Sequence, residues 1–246
     1  MKVKSKKIIL PLSIVIVIAL IIVICVSISK RNKNDMYMEP VVTFYTEDGF
    51  EYSINETEQG KVNMPEVPPE VPGKVFIGWD KEISEIKDDT KTKAQYIDVS
   101  GEKNVFAFPT MYAYESEEIV LPLKLLGKVK LCGVDLVISY DANVLEYIGC
   151  DTHDESLAIE ADEENGLLYL HYVETSNTIG EVDLANLKFK ALSVEETSTF
   201  VQIRIKDAVE LNDNNEIVEA EYGVVDGKIN LMPLPEGYVM GDGRER

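Results

Sequence analysis

The sequence predicts a mainly β protein behind a single N-terminal transmembrane helix, and three observations carry that reading. Short apolar or alternating runs recur after residue 40, turn residues punctuate them at regular intervals, and the only long uncharged apolar stretch is Ile8 to Ser29.

Those 22 residues would rise about 33 Å as a helix, enough to cross a bilayer core. Pro11 falls in the first turn, where N–H groups have no helical partner anyway. A cleaved signal peptide is the competing reading, with Ser27 and Ser29 resembling its small-residue site, but its apolar region is ordinarily shorter. A lipid anchor on Cys25 is a third, opposed by bulky Ile22, Val23 and Ile24. The length favours an uncleaved anchor. Residues 1–7 form a basic segment with four lysines, whereas Lys30, Arg31 and Lys33 follow the run, so flanking charge barely orients it. The domain-sized segment beyond sets the expectation of an extracellular C-terminal part, in a single-pass protein of the cell membrane.

All 44 acidic residues lie after residue 33, against 17 basic ones, leaving that portion at −27. Such a surface repels nucleic acid and anionic headgroups, and fits either plain solubility or a partner carrying basic groups. Cys132 and Cys150 lack metal or redox spacing; an exported chain can pair them, but their strand contexts favour free thiols.

After a spacer at 30–40, a first module spans 41–99. Val42 and Phe44, then Phe50, Tyr52 and Ile54, alternate with polar residues around Glu47-Asp48-Gly49, which predicts a hairpin. The proline-rich stretch that follows should wrap a sheet edge. Trp79, the only tryptophan, is expected in the core of so small a unit. The opening VTFYTEDG, the prolines 65, 68, 69 and 72, the phrase Gly73 to Trp79 and the closing DDTKTKAQY together resemble the internalin-type B repeat, or Listeria–Bacteroides repeat. That resemblance implies a small β-grasp-like module acting as spacer or adhesive unit.

A second module, 103–232, is long enough for a substantial core. Its runs EIVLPLKLLG, GVDLVISY, GLLYLHYVE, ANLKFKAL, FVQIRIKDAVEL and GKINL are separated by turn chemistry at Asp141 to Asn143, Glu164 to Gly166, Asn212 to Asn215 and Asp226-Gly227, the grammar of an all-β sandwich. One short helix, after Gly180, is the only helical candidate. Gly133 to Gly149, GVDLVISYDANVLEYIG, resembles the strand and turn of cohesins, the domains that bind dockerin modules in cellulose-degrading assemblies. GLLYLHYVE, VDLANLKFKAL and NEIVEAEYGVVDGKINL follow in the family's order. This resemblance implies a nine-stranded jelly-roll sandwich.

Catalytic parts are sparse. His153 and His171 are the only histidines, without metal spacing, and neither a nucleophile elbow nor a phosphate loop occurs. Carboxylates abound, which leaves a surface glycosidase open as a class, yet no pair stands out. Binding is the better reading, with no enzyme activity and no cofactor expected. If Leu168, Leu170 and Tyr172 face the core, Tyr169, His171 and Val173 face outward. The cohesin resemblance implies that this stripe lies on the dockerin-binding sheet, that Asp135 accepts hydrogen bonds from a partner helix, and that Ile217 and Glu219 are apolar and acidic contacts. Gly133 stands where the family often has asparagine.

The tail, 233–246, is expected to be disordered. Gly237 to Gly243 resembles the opening of a dockerin, but the calcium ladder is missing, so no metal is assigned. The expected function is a membrane-anchored surface receptor for dockerin-bearing proteins, enzymes or adhesins, in support of polysaccharide degradation by a Gram-positive-type bacterium. The alternative is an adhesin or carbohydrate-binding protein that uses the same sandwich without a dockerin.

Overall fold

The computed structural model describes residues 39–58, 61–62, 68–152, 156–192 and 197–232. The expected anchor at 8–29, the flanking segments 1–7 and 30–38, and the tail 233–246 lie outside them, as does His153. Among the described residues no helix is long and apolar enough to cross a membrane.

The first module is one mixed sheet built from β1 (Val41–Tyr45), β2 (Glu51–Glu58), β3 (Lys61–Val62), β4 (Lys74–Trp79) and β5 (Thr90–Asp98), in the order β3-β2-β1-β5-β4. β1 and β2 form the expected hairpin, closed where the Gly49 N–H donates to the Thr46 carbonyl. Gly49 sits at φ +86°, a conformation that favours glycine. β1 also pairs in parallel with β5, making it the centre of the sheet.

Trp79 is buried, as expected, with the rings of Phe44, Phe76 and Tyr52 at 4.7, 5.3 and 6.0 Å. The apolar alternation of β2 needs correction, since Phe50 and Ile54 are exposed. The register shifts between Phe44 and Tyr45, so that Tyr52 is the extra residue of a bulge. It turns inward while Ile54, opposite Thr43, stays outside.

The second module is a sandwich. One sheet runs β10 (Leu145–Asp151), β13 (Val182–Ala191), β8 (Glu118–Leu126), β6 (Val105–Ala107), β16 (Gly223–Val225). The other runs β11 (Leu157–Asp162), β12 (Leu167–Ile179), β9 (Lys130–Ser139), β14 (Ser198–Leu211), β17 (Gly227–Met232), β7 (Met111–Tyr114), with β15 (Ile217–Glu219) also paired to β14. Inward residues of both sheets, among them Leu121, Leu123, Leu136, Ile138, Leu168, Leu170, Leu187 and Phe189, form one aliphatic core. Alternation along each strand produces it directly.

β6 and β7 are one stretch of chain that passes from the first sheet to the second, and β16 and β17 do the same beside it, each pair parallel. The crossing is tight. A Cβ at Gly227 would lie 2.7 Å from the Cβ of Phe108, so only glycine fits there.

The short helix expected after Gly180 is absent. β13 occupies that stretch, and its burial alternates at Ala185, Leu187, Phe189 and Ala191, a period of two that a helix cannot present to one sheet. Cys132 is buried on β9 and Cys150 half-buried on β10, in opposite sheets, and both are free thiols. Burial raises the pKa of each.

The two modules share structure. Tyr114 and Met232 of the sandwich belong to the cluster around Trp79, and the Tyr114 hydroxyl donates to the Val62 carbonyl. Val75 and Val99 of the first module pack with Val105, Ala107 and Leu126 of the second.

Candidate partner-binding face

β9 lies between β12 and β14, and its outward residues align with theirs in three cross-strand rows. Antiparallel partners project to the same side, so each row is a strip of surface. The first row is Tyr169, Val137 and Arg204. The second is His171, Asp135 and Asp207. In the third, Val173 and Val209 flank Gly133, and β15 extends it to Glu219; Ile217, opposite Leu211, follows beyond.

Burial along β12 matches the expected alternation. Leu168, Leu170 and Tyr172 are buried, whereas His171 and Val173 are exposed and Tyr169 is half-buried. All six residues singled out from the sequence therefore stand on one outer face. Val173 and Ile217 are its barest apolar groups, at 68% and 71% exposure.

His171 Nδ1 lies 2.7 Å from Asp135 Oδ1. An ionised carboxylate only accepts, so the hydrogen bond fixes the Nδ1–H tautomer and leaves Nε2 facing solvent. The second oxygen of Asp135 has no hydrogen-bond partner among the described residues. Gly133 has a local reason to lack a side chain, because a Cβ would meet Val209 Cγ2 at 3.1 Å and the Tyr172 carbonyl at 3.4 Å. The glycine leaves a shallow floor between the two valines.

Five of the face's residues were not anticipated from the sequence: Val137, Arg204, Lys206, Asp207 and Val209. Arg204 was within reach of simple alternation in FVQIRIKDAVEL. So was Lys206, two residues on; Asp207 was not, because the register shifts between Ile205 and Asp207 and inserts Lys206 as an extra residue. The bulge exposes both charged neighbours while Ile205 and Ala208 pack inward. Lys206 Nζ sits 4.9 Å from the centroid of the Tyr169 ring, within cation–π range.

A second irregularity bounds the face. Four residues of β12, from Glu174 to Asn177, bulge out between the pairs Val173–Gly133 and Thr178–Leu131. The segment is held at both ends. Ser156 Oγ donates to Glu174 at 2.6 Å, while Asn177 receives the Leu211 N–H at 2.8 Å and donates to the Leu211 carbonyl at 2.7 Å. Among the described residues no cluster of histidine, cysteine and carboxylate groups could hold a metal ion.

Residues 106–231 match the family model described as Cohesin domain. No curated protein matches the chain. Solved structures similar to it include the seventh ScaB type I cohesin from Pseudobacteroides cellulosolvens, at 16% identity and TM-score 0.49, covering 58% of this chain and 100% of that one. A chain from a type I cohesin–dockerin complex of Clostridium thermocellum aligns at 15% identity and TM-score 0.46, covering 53% and 100%. A non-cellulosomal cohesin from the archaeon Archaeoglobus fulgidus aligns at 15% identity and TM-score 0.45, covering 53% and 92%. The family match takes in half of the chain and coincides with the sandwich from β6 to β17, and by that match the protein belongs to the cohesin family.

Proposed function

We propose that the outer face of the seven-stranded sheet docks a dockerin-bearing protein, and that the chain is a non-catalytic receptor holding that partner at the cell surface in support of polysaccharide degradation. One observation carries the reading. Residues chosen from three distant parts of the sequence, Asp135, Tyr169 to Val173, and Ile217 to Glu219, converge on one exposed face that combines bare apolar groups with hydrogen-bonding carboxylates. Family membership supplies the partner class, since dockerins are the ligands that the cohesin resemblance implies. A flat face of this composition suits the side of a helix, with apolar anchors supplying affinity and carboxylates setting orientation and on-rate.

The rest of the architecture follows the same reading. The apolar run 8–29 serves as an uncleaved anchor with the C-terminal part outside, and the first module serves as an internalin-type B repeat raising the sandwich above the membrane. The jelly roll counts nine principal strands if β6 with β7 and β16 with β17 are taken as single strands and β15 as an accessory.

Isothermal titration of the full chain in nanodiscs against a dockerin panel tests the proposal, with Tyr169→Ala as comparator. Binding weakened by about 2 kcal/mol in the variant is expected. Retention of glycans with no dockerin bound would favour the adhesin alternative.

A further inference from the structure

The face is electrically polarised along the strands. Arg204 is the only arginine among the described residues, and it stands in the first row beside Lys206 and Tyr169. One row away, Asp135 and Asp207 oppose each other, and Glu219 closes the third row. Basic charge thus gives way to acidic within two residues of β14. Elsewhere some cations are paired, Lys74 with Glu47, Lys103 with Glu221, Lys124 with Glu70 and Asp183, and Lys188 with Asp151, while others, such as Lys91, Lys93, Lys190 and Lys228, have no ion pair among the described residues. Among the described residues neither Arg204 nor Lys206 meets a carboxylate within ion-pair distance. What sets Arg204 and Lys206 apart is their place: both are exposed on the face that carries Val173 and Ile217, one row from Asp135 and Asp207, with Lys206 lying over the Tyr169 ring.

We infer that the docking face selects a helix with opposite charges in sequence order: an acidic residue over Arg204 and Lys206, a basic or hydroxyl-bearing residue over Asp135 and Asp207, and an apolar residue over Val173 and Val209. This rests on the docking reading above and adds to it the charge order of the partner. Successive rows on one face of a strand are about 6.7 Å apart. A helix laid along the strands rises that far in about 4 to 5 residues. The three recognition groups therefore fall near i, i+4 and i+8, which lie on one side of a helix. The bulge at Lys206 makes the first contact bidentate in charge, because Arg204 and Lys206 both flank the same strip. The second row is poised to accept hydrogen bonds, since the His171 Nδ1–H occupies only one oxygen of Asp135.

Charge reversal tests this. The chain carrying Arg204→Glu and Lys206→Glu is titrated beside wild type against the dockerin panel, at low and high ionic strength. Both side chains are exposed, so the fold should persist, and an unchanged melting temperature checks it. Dockerins with an acidic residue at the first position should bind wild type best and lose about tenfold or more in affinity to the reversed chain at low salt, less at high salt. Replacing that acidic residue with lysine should restore binding to the reversed chain. Dockerin binding indifferent to the reversal, with Val173→Ala still weakening it, overturns the charge order and leaves the docking reading intact. Absence of binding by every dockerin overturns both. Retention of a polyuronate that depends on Arg204 and Lys206, with dockerin binding unaffected, overturns the inference in favour of an anionic glycan.

Discussion

The two outer faces of the sandwich are made from the same kinds of residue and end in different states. On the five-stranded sheet, the outward side chains of β8 and β13 are cross-linked: Lys124 binds Asp183 at 3.0 Å, and Lys188 binds Asp151 of β10 at 2.6 Å. The first module also reaches this side, where Glu70 pairs with Lys124 at 2.6 Å, the Gly73 N–H donates to Glu181 and Val75 packs against Leu126. On the seven-stranded sheet Lys130 reaches Glu210 at 3.7 Å, but Arg204, Lys206, Asp207 and Glu219 have no ion pair among the described residues, Lys206 lying over the Tyr169 ring, and Val173 and Ile217 stand bare. Solvation explains either face by itself. Under the docking proposal the contrast is a division of labour, in which one face is braced by the neighbouring module and the other is left for a partner.

The bracing can be broken at its centre. Trp79→Ala should cost about 3–5 kcal/mol, since the ring fills the middle of a small aromatic core. Because Tyr114 and Met232 share that core, calorimetry should show one transition moving to lower temperature. Two separate transitions, with only the lower one displaced, would make the modules independent and weaken the comparison.

The open face can be altered without touching its charges. Gly133→Asn should destabilise by about 1–3 kcal/mol, because the new Cβ must displace Val209. Denaturant unfolding measures this. An unchanged midpoint would mean that the floor between the valines has room to spare. The smallest effect belongs to the braced face. Lys124→Ala should cost about 1 kcal/mol or less despite its two carboxylate partners, both of which remain partly in water. A loss well above that in urea titration would show the brace to be electrostatic more than apolar.

Much of this was legible in the sequence because it is periodic. Leu168, Leu170 and Tyr172 against Tyr169, His171 and Val173 needed only the two-residue repeat of a strand. Trp79 needed only the size of its module. What escaped depends on pairing between distant residues. The His171–Asp135 hydrogen bond arises because two strands 36 residues apart fall into one register. Bulges at Tyr52 and Lys206 each shift side chains to the other face, and no local pattern announces them. The stretch after Gly180, a helical candidate in the sequence, is the start of β13, where a register shift buries Leu184 and Ala185 in succession and blurs the alternation. Ile217 and Glu219 came from family resemblance alone, since β15 is only three residues long.

On the docking proposal, the face carrying Val173, and not its opposite, binds the partner. Val120 is an exposed valine on the five-stranded sheet, so it makes a matched control. Calorimetric titration of a dockerin that binds the full chain, repeated with Val173→Ala and with Val120→Ala, compares the two faces directly. The account predicts that Val173→Ala weakens binding by about 2 kcal/mol while Val120→Ala leaves it within about 0.5 kcal/mol of wild type. Equal losses, or a loss confined to Val120→Ala, would contradict it.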